Sequence, residues 1–395
     1  MRPLVISHFA TANPLGLGSA ATLRGLVERR GALRRMDFHA TPLETWIGRV
    51  EGLEEQPVAG RLAEFDCRNN RLAQAGLRQD GFEEAVARAR SRYGANRIAV
   101  ILGTSTSGIE HCERAYRERD ANTGSLPPWF RERHTLNLFS VADFVQKYLG
   151  LQGPAATIST ACSSSAKVFA SAARMIEAGF ADAAVVGGVD SLCLTTLYGF
   201  GSLELLSREP CRPCDAGRDG ISIGEAAGFA LLERPEPGSR GVALVGYGES
   251  SDAYHMSSPD PEGEGAYIAM RSALEGAGIE PADVGYLNMH GTGTPANDCI
   301  EDRAIYRLFR ESVLCSSTKG WTGHTLGAAG ITEAIICALC LSAGLVPGSL
   351  NLDRIDPTFS SHVAVAAESR DLRYVMSNSF GFGGSNCSLV FGQLA

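Results

Sequence analysis

The feature that most restricts how this chain can fold is a plan repeated in its two halves. "RIAVILGTSTSG", residues 97–108, is an apolar run that ends in a Gly-Thr turn, and "VGYLNMHGTGTP", residues 284–295, repeats the design. A second pair follows in the same order. "ISTACSSSAKVFASAARMIEAGF" and "CSSTKGWTGHTLGAAGITEAIICALCLSAG" each run from a strand through a polar turn into a small-residue helix that closes on Ala-Gly. Two pairs in one order imply duplicated α/β halves. The division falls near residue 238, in "ERPEPGSRG", giving halves of 1–238 and 239–395. The continuous apolar run "AAVVGGVDSL" has the character of a parallel strand buried on both faces.

Composition narrows the class. The chain has 395 residues, 44% hydrophobic and 20% charged, which suits a folded protein too long for one simple core. A net charge of −8 and a pI near 5.6 argue against a general nucleic-acid binder. The N-terminal apolar stretch is broken by Ser7, His8 and Asn13, unlike a signal peptide, so the expected location is the cytoplasm. "ITEAIICALCLSAGLV" is short for a membrane span and carries Glu333, so a buried helix is expected and no membrane span. Eleven cysteines in such a chain read as reduced thiols. Cys211-x-x-Cys214 has no second C-x-x-C at zinc spacing, and Pro213 stands where a redox motif would open a helix; a structural role is the better reading.

Four stretches combine glycine-enabled backbone with reactive side chains. Cys162 lies between the strand-like "AATIST" and a helix, where the helix dipole would lower its pKa and backbone N–H groups could hold an oxyanion. A small buried cysteine explains the same position equally well. His290 and His324 each stand at one end of a turn rich in Gly and Thr. Lone histidines are more often structural, and zinc is a rival role, but no H-E-x-x-H pattern or clear carboxylate ligand completes a site; no metal is expected. Two histidines with a cysteine suit carbonyl chemistry better. Lys319 and Glu333 could be surface residues, yet a charge within "ITEAIICAL" needs a partner, and Lys319 is the candidate. "NSFGFGGSN" has too many glycines for a stable strand and no lysine for a phosphate loop. It reads as a loop approaching a ligand, with Phe380 and Phe382 as its walls.

Taken together, "STACSSS", "RPCDAGRDG", "SSDAYHMSSP", "HGTGTP", "SSTKGWTGHTLGAAG" and "NSFGFGGSN" resemble, in register, the β-ketoacyl-acyl carrier protein synthases, elongating condensing enzymes of thiolase-like fold. The resemblance implies an α/β fold of two duplicated halves in a layered αβαβα arrangement. It implies Cys162 as acyl-accepting nucleophile, the N–H groups of Cys162 and Phe382 as oxyanion hole, and His290 and His324 promoting decarboxylation of a malonyl-carrier and holding the enolate. Lys319 resembles the family's motif lysine and Glu333 its buried carboxylate. Thr292 and Thr294 match residues that bind the pantetheine arm, Phe380 and Phe382 a gate, and Asp252 and His255 a loop beside it. No cofactor is implied. The partners implied are an acyl carrier protein and a second subunit, either identical or a chain-length-factor homologue.

Some positions depart from the fatty-acid members of that family. Trp321 precedes T-G-H where methionine is usual, Asn297 and Asp298 follow the H-G-T-x-T-P motif, Asp143 adds an acid to "TLNLFSVADF", and Thr106 stands at the expected end of the acyl pocket. These leave the reaction type in place and open the substrate to polyketide or aryl-polyene chains. A catalytically silent scaffold disagrees with the intact Cys-His-His set, and a hydrolase would need a G-x-S-x-G elbow that "GTSTSG" lacks. An acidic chain that binds an acidic carrier needs a local basic patch, and Arg68 and Arg71 in "DCRNNRLAQAG" are the candidates, with a solvated helix face as the alternative.

Overall fold

The apolar runs become strands of one continuous mixed sheet in the computed structural model, which describes residues 1–394. The first half supplies β1 (Leu4–Asn13), β2 (Ile98–Gly103), β3 (Ala155–Ile158), β4 (Ala183–Asp190) and β5 (Ala226–Glu233), in the spatial order β3-β2-β4-β5-β1. The second supplies β6 (Gly241–Ser251), β7 (Val284–Asn288), β8 (Leu314–Ser316), β9 (Tyr374–Gly381) and β10 (Ser385–Leu394), in the order β8-β7-β9-β10-β6. Strand directions match as well. β2 is parallel to β3 and β4, as β7 is to β8 and β9. The β4–β5, β5–β1, β9–β10 and β10–β6 pairs are antiparallel. β1 and β6 meet only at Leu4↔Leu244 and Val5↔Ala243, and that short pairing joins the two sets.

Three hydrophobic clusters separate five layers. Helices α1 (Arg68–Leu77), α2 (Phe82–Tyr93) and α3 (Ser140–Leu149) cover the outer face of the first strand set. Next in the chain come α4 (Ser164–Glu177) and α5 (Leu194–Ser202), then α6 (Glu264–Ala277) and α7 (Pro295–Phe309), which cover the outer face of the second set. α4 and α8 (Ala329–Ala343) fill the space between the sets. α8 and the turn before it are long and apolar enough to cross a membrane by composition. Every residue from Ala329 to Leu341 is buried, so this is the central core helix. The echoed segments occupy matching places: β2 and β7 are the middle strands of their parallel trios, and β3 leads to α4 as β8 leads to α8.

"NSFGFGGSN" differs from expectation. Asn378 to Gly381 belong to β9, which is hydrogen-bonded to β7 on one side and β10 on the other. The β7 pairing ends at Ser377, and antiparallel pairing with β10, from Asn378↔Ser388 to Gly381↔Ser385, holds these residues in a strand despite the nearby glycines. Only Phe382, Gly383 and Gly384 form the turn, the two glycines at φ 83° and 72°.

Candidate active site

Cys162 sits on a strained corner. Ala161 before it has φ 51°, unusual for a residue with a Cβ, and the neighbouring hydroxyls hold the bend. Ser164 Oγ donates to Ala161 O at 2.6 Å and accepts from Thr160 N at 2.9 Å, while Ser163 Oγ donates to Thr160 O at 2.9 Å. The serine run of "ACSSS" therefore ties the corner that presents the thiol.

Both histidines come from the second half. His290 follows β7, and His324 follows the one-turn helix Lys319–Thr322. The His324 N–H donates to Ser222 O at 2.7 Å, and its carbonyl accepts from Gly224 N at 2.9 Å, so a first-half segment grips it on both sides. Its Nε2 lies 3.0 Å from Cys162 Sγ, and the two imidazole centroids are 5.4 Å apart. The side-chain donor atoms of Cys162, His290 and His324 all fall within 4.8 Å of one another.

Hydrogen bonding orients the rings. Leu326 N–H donates to His324 Nδ1 at 3.3 Å, which leaves the proton of a neutral ring on Nε2, facing the sulfur. Lys319 Nζ stands 3.4 Å from His290 Nδ1, donates to the His290 carbonyl and forms an ion pair with Glu333. An ammonium beside Nδ1 likewise assigns the His290 proton to Nε2. Burial, with the Lys319 charge second, pushes both imidazole pKa values far below the usual histidine range, so both rings are neutral donors. This argues against a metal triad, which would need lone pairs on those same Nε2 atoms.

The thiol departs from the helix-dipole expectation. Burial pushes Cys162 up to about 11, against the opposing pull of the Lys319 charge and the Phe382 N–H. Cys162 precedes the first turn of α4 and is only 6% exposed, so loss of hydration outweighs the dipole. Glu333 is pushed up to about 7 by burial, partly offset by Lys319.

A pocket of ≈ 290 Å³ opens onto these groups. Thr292, Thr294, Asp252, Phe380 and Phe382 line it, with the two threonine hydroxyls 2.9 Å apart. Asp252 accepts from Asn386 Nδ2 at 2.6 Å, and its N–H donates to Gly384 O at 2.9 Å, which ties its loop to the Phe382 turn. Phe200 of α5 packs on Phe382 at 5.8 Å.

Four sequence-predicted residues lie elsewhere. His255 is exposed on its loop, takes the Ser257 N–H at 3.2 Å and does not line the pocket. Thr106 is buried, and its hydroxyl donates to Asp190 at 2.8 Å instead of facing the pocket. Arg68 and Arg71, the candidates for carrier docking, are both engaged in ion pairs. Arg68 is 8% exposed and binds Glu225 through Nε at 2.9 Å and Nη2 at 2.5 Å, with Glu54 at 2.6 Å. Arg71 forks onto Asp66 at 2.7 and 2.6 Å. The Arg68 guanidinium is thus neutralised inside the fold, while Arg71 is paired but part-exposed.

The other singled-out residues are structural. Cys211 and Cys214 are buried free thiols directed at Lys319 O and Met289 Sδ, respectively. Asp143 pairs with Lys147 one turn along α3 at 2.6 Å. Trp321 is wholly buried. Asp298 accepts from Gly293 N at 3.1 Å and Cys214 N at 3.0 Å, bracing the H-G-T-G-T turn, while Asn297 lines the pocket.

Sequence reasoning missed Glu301. Its carboxylate accepts the N–H groups of His290 and Gly291, both at 2.8 Å, and Asn378 Nδ2 at 3.1 Å, and burial pushes it up to about 7. In the sequence it sits in the acidic run "NDCIED", which resembles an exposed helix face. Asp190 was also missed, although an acid directly after the apolar run "AAVVGGV" carries the same signal that singled out Glu333.

Residues 2–237 match the family model described as Beta-ketoacyl synthase, N-terminal domain, and residues 242–353 match Beta-ketoacyl synthase, C-terminal domain. The chain is 39% identical over 418 residues to a 3-oxoacyl-(acyl-carrier-protein) synthase 2 of Vibrio cholerae, covering 100% of this chain and 99% of the relative. Among solved structures, the ketosynthase ApeO in complex with its chain length factor ApeC from Xenorhabdus doucetiae is 40% identical with a TM-score of 0.90, covering 100% of this chain and 98% of that one. The ishigamide ketosynthase/chain length factor superposes with a TM-score of 0.91 at 26% identity, covering 100% of both chains. The fold is thiolase-like, and the chain belongs to the β-ketoacyl synthase family of condensing enzymes.

Proposed function

We propose that the chain catalyses decarboxylative Claisen condensation between an acyl group held on Cys162 and a malonyl thioester on an acyl carrier protein. The observation that carries this reading is the convergence of one thiol and two neutral, Nε2-protonated imidazoles at the end of one pocket.

In the first half-reaction Cys162 Sγ attacks the acyl thioester carbonyl. The S–C bond to the carrier breaks, and the thiol proton leaves with the carrier thiol. The His324 Nε2–H stabilises the thiolate as it forms, and the N–H groups of Cys162 and Phe382 hold the tetrahedral oxyanion, a contribution of about 3 kcal/mol per donor in comparable sites. In the second, the malonyl C–C bond breaks to release CO₂, and the electron pair becomes an enolate whose oxygen accepts from His290 and His324. The enolate carbon attacks the acyl-cysteine, the new C–C bond forms, and the sulfur leaves and takes up one proton from solvent. Lys319, fixed by Glu333, acts by holding His290 in its tautomer. Thr292 and Thr294 face the pantetheine arm. The chemistry needs no cofactor.

The residues divide as 1–238, carrying the nucleophile, and 239–395, carrying the histidines and lysine. The partners are an acyl carrier protein in the cytoplasm and a second ketosynthase-fold subunit. A chain-length-factor-type partner, and hence a specialised polyketide or aryl-polyene substrate, is supported by the 40% identity to a ketosynthase solved with such a factor.

Incubation with acyl-carrier protein should add one acyl mass to the Cys162 peptide, and His290→Ala should retain that step while losing most condensation. An unmodified Cys162 peptide under turnover, or full condensation by His290→Ala, would overturn the assignment.

A further inference from the structure

Another buried carboxylate touches neither the pocket nor the pair formed by Lys319 and Glu333. Asp190, at the end of β4, is wholly buried and has no cationic partner within salt-bridge distance among the described residues. It is met instead by hydrogen-bond donors. Thr104 Oγ1 donates at 2.7 Å, Ser105 N at 2.8 Å, Thr106 N at 2.8 Å, Thr106 Oγ1 at 2.8 Å and Gly327 N at 2.5 Å. Four of these come from the β2 turn in the first half. The fifth comes from the second half, three residues beyond His324.

Each end of the cluster leads to a reacting group. Gly327 follows directly on Leu326, whose N–H fixes His324 Nδ1. A Cβ on Gly327 would stand 2.5 Å from Ser105 Oγ and 2.7 Å from Asp190 Oδ2, so the turn approaches as closely as backbone can. Ser105, whose N–H Asp190 holds, reaches Ala161 O with its hydroxyl at 3.4 Å, next to the strained bond that presents Cys162. The Asp190 charge is also felt at the Cys162 sulfur, where it opposes thiolate formation.

We infer that Asp190 is a positioning residue for the condensation, one carboxylate that clamps the His324 turn of the second half to the Cys162 corner of the first. A group that makes the thiol harder to ionise is an odd neighbour for a nucleophile unless its geometric role outweighs that cost. Five donors to one carboxylate give it such a role, because losing the carboxylate would free both turns at once. The inference rests on the proposed roles of Cys162 and His324.

The experiment compares Asp190→Asn with the wild type in the full chain through two rates. Condensation with malonyl-carrier should fall at least about tenfold, as expected for loss of sub-ångström alignment. Alkylation of Cys162 by iodoacetamide at pH 8 should rise by about threefold, because removing the negative charge favours the thiolate. General structural damage would expose the buried thiol, raising alkylation far beyond threefold and lowering the unfolding midpoint, and an idle residue would change neither rate; either result overturns the inference. Thr104→Val removes one donor and leaves the carboxylate, and should lower condensation by about threefold; unchanged condensation in that variant also overturns it. Acyl transfer to wild-type Cys162 tests the underlying reading separately, so the two failures are distinguishable.

Discussion

Nε2 of His324 lies 3.0 Å from Sγ of Cys162 across 162 positions of sequence, and the proton on that nitrogen is assigned by a single backbone donor, the Leu326 N–H. Without that bond the ring could turn a lone pair to the sulfur and act as a base. With it, His324 can only donate, which suits an enolate oxygen and a forming thiolate.

Because burial pushes the Cys162 thiol up to about 11, it is almost wholly protonated at neutral pH. Its alkylation rate, followed by peptide mass spectrometry, should rise about tenfold per pH unit between pH 7 and 9. A rate that levels off near pH 7 would show that the helix terminus and Lys319 outweigh burial.

Glu333 is held near about 7, above its ordinary 4.5, even with Lys319 beside it. A carboxylate raised in the fold contributes stability that is full below its unfolded value and is lost as pH climbs through its folded value. Removing the ammonium moves that upper limit higher, so Lys319→Met should cost more at pH 8 than at pH 6, reaching about 3 kcal/mol in denaturant unfolding. Adding Glu333→Gln should recover most of the loss. A double variant no more stable than Lys319→Met would show that the buried charge is not the cause.

The Glu301 carboxyl is likewise raised to about 7, so the native chain binds more protons than the unfolded one between pH 4.5 and 7. Stability should therefore fall with rising pH across that window, and Glu301→Gln should reduce the slope by up to about 1.4 kcal/mol per pH unit. The same variant places an amide donor against one of the N–H groups of His290 and Gly291, so condensation should fall while Cys162 acylation persists. Identical pH slopes in variant and parent would remove Glu301 from this account.

Arg68 and Arg71 make a pair of opposite expectations. Glu225 accepts Arg68 together with the Val50 and Leu192 N–H groups, so Arg68→Glu should destabilise the fold by at least about 3 kcal/mol. Arg71, part-exposed against Asp66, should cost about 1 kcal/mol or less on mutation to Ala. Carrier binding measured at low and high salt should be unchanged by Arg71→Ala. A salt-sensitive loss of affinity there would assign Arg71 the docking role.

The duplicated halves and the buried helix around Glu333 were legible because each leaves a local mark, whereas Cys162, His290 and His324 stood out as a set only through the resemblance of their motifs to the β-ketoacyl synthases. Apolar runs announce buried strands, a lone acid in an apolar helix demands a partner, and a cysteine between strand and helix stands at a turn. The glycine-rich end was misread because its residues up to Gly381 are held by antiparallel pairing with β10, which overrides the glycines. Arg68 looked like part of a basic face because its neutralising partner, Glu225, is 157 positions away.

The sequence alone was enough to determine which chemistry the chain can host, since thiol, imidazole and buried carboxylate are properties of side chains and their immediate turns. Only the tertiary structure decided their states. Burial raised the thiol and neutralised the histidines, Leu326 and Lys319 chose the tautomers, and Glu301 and Asp190 became supports through backbone donors brought from elsewhere in the chain. Desolvation and hydrogen-bond direction depend on what surrounds a group in space, and no stretch of sequence carries that information by itself.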